Sequence, residues 1–242
     1  YVETFLDGLR EKDLAWVHGV QNLHLNIMNQ NIELMPSVEV VHRLKKIGGN
    51  VTQTVGHDAY CNLEMRTRYG IPLHHLTPYK RAHYIVRGYA QKENLIVYSP
   101  DENPYKAQVL ERLHKEFPHL EQKEIRGLKY EDYLDLISRA KWAITFGEGF
   151  DAYFSEPFWS GGISFAVYNE QFFLPEQKSW PTVFESYEAM IDALPNKMRV
   201  LDEASAYEKI SVKMAKIFST EQFEKQHLSD LSAFYRGEYT YP

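Results

Sequence analysis

ENLIVYSP (93–100), PYKAQVLERLHKEF (104–117), LEQKEIRGL (120–128), YEDYLDLISRA (130–140) and KWAITFG (141–147) follow one another as strand, helix, strand, helix, strand. ENLIVYSP is the short apolar run of a buried strand, and LEQKEIRGL is a strand ending in Gly127. The helices carry their apolar residues at helical spacing, with Tyr130, Tyr133, Leu134 and Ile137 on one face. Downstream, AYFSEPFWSG (152–161) reads as a helix, ISFAVYN (163–169) as a strand and YEAMIDAL (187–194) as a helix. An irregular aromatic loop reaches Ser186, and a helical stretch from about Glu203 to Phe234 breaks near Ser219. Strands alternating with helices at this spacing predict a parallel sheet covered by helices on both faces.

Upstream the pattern is weaker. LAWVHGV (14–20) has the length and apolar content of a strand, SVEVVHRLKKIG (37–48) is an amphipathic helix, and NVTQTVGHDAYC (50–61) is a strand running into a loop. Gly70, Pro72 and Pro78 break residues 62–91 into short pieces. The expected domains are therefore 1–90 and 91–242, which suits 242 residues. The chain opens on Tyr1 in what reads as the end of a helix, so an upstream segment is expected to be absent.

Composition excludes several classes. No apolar run approaches the roughly 18–20 residues of a membrane-spanning helix, and the first twenty residues carry Glu3, Asp7, Arg10, Glu11, Lys12 and Asp13 rather than an apolar secretion segment. One cysteine, Cys61, allows no intrachain disulfide and no cysteine-based zinc site, which fits a reducing compartment. The net charge of −6 argues against a nucleic-acid binder. Residues 1–90 hold ten Lys/Arg against eight Asp/Glu, and the remainder seventeen against twenty-five. That asymmetry is too small to establish a membrane-facing surface, although a peripheral contact would use the first half. His18 with His24, and His74–His75 with His83, lack the carboxylate support of a known metal spacing.

Ligands of open parallel sheets bind at the carboxyl ends of strands, so the loops after Ser99, Leu128, Gly147 and Asn169 are the places to look. The third reads GEGFDAYFSEPFWSGG (147–162). Gly147 and Gly149 permit close backbone approach, and a helix beginning near Asp151 offers free N–H donors suited to phosphate. By themselves Glu148 and Glu156 are also compatible with a helix-leading acid and an exposed helical acid. The aromatic residues around Phe154, Phe158, Trp159, Phe172, Phe173 and Trp180 suit a core, or a stacking platform for a base or sugar.

This segment resembles the E-x7-E motif of retaining nucleotide-sugar glycosyltransferases of the GT-B fold, the group 1 or family 4-like enzymes. Glu148, Gly149, Phe150, Glu156 and the closing Ser160-Gly161 carry the likeness. The resemblance implies two Rossmann-type domains facing a cleft, with residues 91–242 the donor-binding domain and 1–90 an incomplete acceptor domain. It implies that Glu148 grips the donor sugar, that the backbone at Gly147, Gly149 and Phe150 holds the diphosphate, and that Glu156 binds the ribose. VTQTVGHDA resembles the strand whose terminal histidine, here His57, faces the reaction centre; Lys106 loosely matches the family's phosphate-binding lysine. Two positions depart from the pattern: Ser99 stands where the family has an arginine, leaving Lys129 or Arg126 to substitute, and Asp151 replaces a common glycine. A carboxylate beside a diphosphate is unfavourable, so Asp151 is expected to point away or cap the helix.

The implied activity is retaining transfer from a nucleoside-diphosphate sugar to a glycan, lipid-linked or protein acceptor in the cytoplasm, with the inner membrane face as the place for any peripheral contact. Front-face departure, with the leaving phosphate taking the acceptor proton, needs no metal and no cofactor beyond the donor. A non-catalytic accessory subunit of a glycosyltransferase complex is the alternative, favoured by the short acceptor half and the missing arginine. Epimerisation would need acid and base residues on both faces of the sugar, and no such pair is evident.

Overall fold

The computed structural model describes residues 2–29, 35–77, 83–217 and 220–242. The chain divides into two compact units, one of residues 1–80 with 223–242 and the other of residues 81–222. The division falls ten residues before the expected boundary, and the last twenty residues belong to the first unit. Their attachment there is concrete: Leu73 and Tyr241 exchange backbone hydrogen bonds of 2.9 and 2.8 Å.

In the first unit, helices α1 (Val2–Asp7) and α2 (Glu11–His18) precede strand β1 (His24–Asn29), and helix α3 (Val38–Ile47) leads to β2 (Asn50–Val55). Helix α4 (Leu63–Tyr69) and β3 (Leu73–His75) follow. The three strands are parallel in the order β1-β2-β3. Residues 14–20 are thus a correction: they form most of α2 and the turn after it rather than a strand. The Asp13 carboxylate accepts from the backbone and side-chain N–H groups of Arg10, closing the first turn. Glu11, Lys12, Leu14 and Ala15 are good helix formers, and local capping decides where apolar content is ambiguous. Val40, Val41 and Leu44 of α3 pack with Ile27 and Val51 on one sheet face.

The second unit follows the expected alternation. Strand β4 (Glu93–Tyr98), helix α5 (Lys106–Glu116), β5 (Glu121–Glu124), α6 (Tyr130–Arg139), β6 (Ala140–Ile144), α7 (Ala152–Trp159) and β7 (Ile163–Val167) succeed one another. A two-residue strand β8 (Val183–Phe184) and helices α8 (Tyr187–Leu201) and α9 (Ala204–Ile217) follow; α10 (Thr220–Tyr235) comes next in the chain and from Phe223 onward belongs to the first unit. The expected helix break near Ser219 lies outside the described residues. All five strands are parallel, in the order β5-β4-β6-β7-β8. The unit is therefore an α/β, Rossmann-like fold. Its core joins Leu95, Val97 and Ala143 of the sheet to Leu134, Leu136 and Ile137 of α6.

Pro157 lies inside α7, where it cannot donate to the Tyr153 carbonyl. That carbonyl accepts from the Ser164 hydroxyl at 3.2 Å instead, so the helix continues into Trp159. Among the described residues, no helix is long and apolar enough to cross a membrane.

Candidate functional site

In the second unit the chain runs outward from β4 to β5 and returns to β6 on the other side, so the strand order reverses between β4 and β6. Ligand crevices of open parallel sheets form at such reversals. The loops there, residues 99–105 and 145–151, are bound together. The buried Ser99 hydroxyl accepts from the Phe146 N–H at 2.8 Å, and the Asn103 amide donates to the Phe146 carbonyl at 3.1 Å. Tyr187 donates to that same carbonyl from α8. The position where the resemblance expects an arginine is thus used to join β4 to β6.

Gly147 and Gly149 do let groups approach the backbone, and the groups that approach belong to the chain. A side chain on Gly147 would begin 2.7 Å from the Asp101 carboxylate, and one on Gly149 would meet the Phe173 ring and the Val167 carbonyl. Gly149 has φ +89°, which glycine adopts without strain. One oxygen of Asp101 is buried with no hydrogen-bond partner among the described residues.

Asp151 caps α7. Its carboxylate accepts from the Phe154 N–H at 2.8 Å and from the Thr145 hydroxyl at 2.7 Å. Burial raises its pKa to about 6, against the bonds from Thr145 and the amides of Phe154 and Tyr153, with the nearby charge of Asp101 pushing further upward. The amides at the start of α7 are therefore engaged by an internal carboxylate, and a second carboxylate stands close by.

The cations are committed as well. The Lys106 ammonium donates to the carbonyls of Ser99 (3.1 Å) and Asp101 (3.2 Å) and to Glu124 (2.7 Å), which uses its three N–H bonds. It also lies 5.1 Å from the Tyr98 ring centre. Arg126, a candidate substitute for the missing arginine, reaches the Pro100 carbonyl at 2.9 Å while paired with Glu124 at 2.7 Å. Hydrogen bonds from Arg126 and Lys106 bring the Glu124 carboxyl down to about 2. Lys129 is exposed ahead of α6.

Glu148 is half-buried in the loop after β6. Glu156 lies one turn further along α7 and is only 7% exposed. Its carboxylate lies against the hydroxyls of Tyr84 and Tyr133; with burial as the larger cause, it drives the ionisation of both tyrosines upward. The half-buried Phe150 ring packs on Phe154, Phe173 and Trp180, and Phe154, Phe158, Trp159, Phe172 and Phe173 are buried. These aromatics build the core of the loop and α7. In the first unit, His57 follows the carboxyl end of β2, half-buried, with its ring 5.6 Å from that of Tyr60.

Asp101, Glu124, Tyr84 and Tyr133 were not legible as site residues. Apart from the pairing of Glu124 with Arg126, each acts on a residue far away in sequence, and no local pattern announces such a contact. Among the described residues, no group of three or more histidine, cysteine or acidic side chains is arranged to hold a metal ion.

No protein-family model and no curated protein matches the chain. Among solved structures, a chain in the crystal structure of accessory secretory proteins 1, 2 and 3 of Streptococcus pneumoniae is similar at 10% identity and a TM-score of 0.47. The match covers 96% of this chain and 56% of that one, so this chain spans a little over half the length of its neighbour.

Proposed function

We propose that the chain is a non-catalytic accessory subunit of a glycosyltransferase system, with a GT-B-like donor unit that binds a partner transferase or a glycan and turns over no nucleotide sugar. The observation that carries this reading is the entrance of α7, where Asp151 engages the first amides and the Asp101 carboxylate fills the cradle at Gly147. A diphosphate seated there would face like charge. At about 4 Å and an effective dielectric near 20, each pair of unit charges costs about 4 kcal/mol, roughly a thousandfold in affinity. Lys106 offers little compensation, because Glu124 already neutralises it. Burial of Glu156 against tyrosines supports the same reading, since it sets that carboxylate against Tyr84 and Tyr133 rather than toward a ribose.

The competing reading is a retaining glycosyltransferase in which Glu148 holds the donor sugar. A turnover assay separates the two: UDP-, GDP-, ADP- and TDP-sugars are incubated with the full chain, and released nucleoside diphosphate is measured. The expected result is a rate equal to that of Glu148→Ala and indistinguishable from buffer. Release or transfer that disappears in Glu148→Ala would establish the enzyme reading instead.

A further inference from the structure

Among the described residues, β1, β3, β5 and β8 stand at the edges of the two sheets, and three of those edges are closed to pairing. Strand β5 is EQKE, four residues of which three are charged, and β8 has two residues. Strand β3 is bridged by Tyr241 of the chain's own tail. Charge, shortness and covering are the usual protections of a sheet edge. Strand β1, HLNIMN, has none of them: six residues in unbroken register with β2, without proline, acid, lysine or arginine. Its Met28 is 73% exposed.

The side chains of β1 are engaged on both faces of the sheet. Leu25 and Ile27 pack with α3 on one face. On the other, His24 Nε2 is 2.7 Å from the Thr52 hydroxyl and Asn26 donates to Thr54 at 2.9 Å. The Phe234 ring of α10 stacks on His24, and farther across the sheet the Asp230 carbonyl is 2.8 Å from His74 Nε2. The backbone is engaged on one side alone. The carbonyls of Leu23 and Asn29 accept from the N–H groups of Asn50 and Gly56. Successive residues of a strand point their backbone groups to alternate sides, so residues 23, 25, 27 and 29 face β2. His24, Asn26 and Met28 therefore turn theirs outward, and among the described residues nothing pairs with them.

We propose that the outer edge of β1 pairs with β1 of a second copy of this chain, antiparallel about a two-fold axis at Asn26, joining the two three-stranded sheets into one. The inference is independent of the crevice in the second unit.

A second copy is the occupant because the strand complements its own reverse, which a two-fold contact requires and a foreign strand does not. With the axis at Asn26, that residue lies opposite its counterpart, and His24 lies opposite Met28 of the second copy. Every outward residue then meets an outward residue, and each such pair can exchange both of its backbone hydrogen bonds. Between them Leu25 falls opposite Ile27 of the second copy, apolar against apolar on the face that carries α3. No acid, lysine or arginine of the strand meets its like. An axis between Asn26 and Ile27 would set outward groups against inward ones. An axis at Ile27 would pair Asn26 with Met28 and leave His24 outside, so the register at Asn26 satisfies the most groups.

Sedimentation equilibrium of the full chain from about 1 to 100 μM, where a transient interface is populated, tests this. The wild type should rise from the 28.4 kDa of one chain toward twice that mass. Met28→Lys puts a charge on the edge at an exposed position and should keep the mass of one chain throughout. Met28→Pro removes an outward N–H and no bond to β2, and should weaken association at least about tenfold. Amide exchange followed residue by residue by NMR locates the contact. Protection of His24, Asn26 and Met28 should grow with concentration, while Ile27 stays protected at every concentration. Met28→Lys and the wild-type exchange pattern decide the matter if Met28→Pro does not fold. A mass that stays at one chain, association that Met28→Lys leaves intact, or outward amides equally exposed at all concentrations would overturn the proposal.

Discussion

Replacing Phe154 with alanine is expected to lower the unfolding free energy by about 3–5 kcal/mol, the usual cost of emptying a buried aromatic site. Phe154 is fully buried, with ring centres of Phe158, Phe173, Phe150 and Trp180 between 5.6 and 6.5 Å away. These rings come from α7 itself, from the loop before it and from the segment after β7, so little can collapse into the space without moving the loop. Urea titration should show a lower midpoint with an unchanged slope. A loss below about 1 kcal/mol would mean that the aromatic cluster is not what fixes the start of α7.

Asp151→Asn should act in the opposite direction. The folded-state pKa of Asp151 is raised to about 6 from 3.8, first by burial, so the native state holds this proton more tightly than the unfolded chain. The contribution of this group to stability therefore falls as pH rises from 3.8 to about 6, and the loss is complete above that. A shift of this size corresponds to about 2–3 kcal/mol. Asparagine retains an oxygen to accept from the Phe154 N–H and an amide to donate to the Thr145 hydroxyl. The variant should accordingly be more stable than the wild type near pH 7 by about that amount, with the advantage shrinking toward pH 4. Paired urea titrations at the two pH values measure it. A variant less stable at pH 7 would show that the charged cap outweighs the burial penalty.

Much of the second unit was legible, because most elements between Glu93 and Val167 carry a local signal. Strands β4, β6 and β7 are largely apolar runs and helices α5 and α6 have one apolar face, while the polar edge strand β5, EQKE, is legible only from the alternation around it. The failures are also physical. LAWVHGV resembles a strand in length and content, yet Asp13 closes a helical turn on Arg10. The true strand, HLNIMN, alternates polar and apolar residues only over His24–Ile27, because one face meets the polar contacts of His24 and Asn26 and the other the α3 core, and four residues are a short signal beside the longer apolar run before them. Strands β3 and β8, of three and two residues, are too short to show a period. Nothing near Phe223 signals that the chain returns to His74 and Leu73.

The candidate site was legible to the same extent. Glycines after β6 and a helix start behind them were correctly located by spacing. What lies on the glycines was not, because Asp101 reaches Gly147 from the loop after β4. The surroundings of Glu156 were not legible either: Tyr84, about seventy residues earlier in the chain, and Tyr133 of α6 lie beside it, and no local pattern announces such contacts.

The central claim is that the crevice between β4 and β6 refuses a nucleoside diphosphate, and the most direct test is calorimetric titration and thermal shift of the full chain with UDP, GDP, ADP, TDP and CMP. At about 1 mM, a nucleotide with a Kd near 10 μM would stabilise the fold by about 2.7 kcal/mol. The account predicts no binding heat and no shift for any of the five. A nucleotide that stabilises the wild type and fails to stabilise Glu156→Ala would contradict it and restore the donor site.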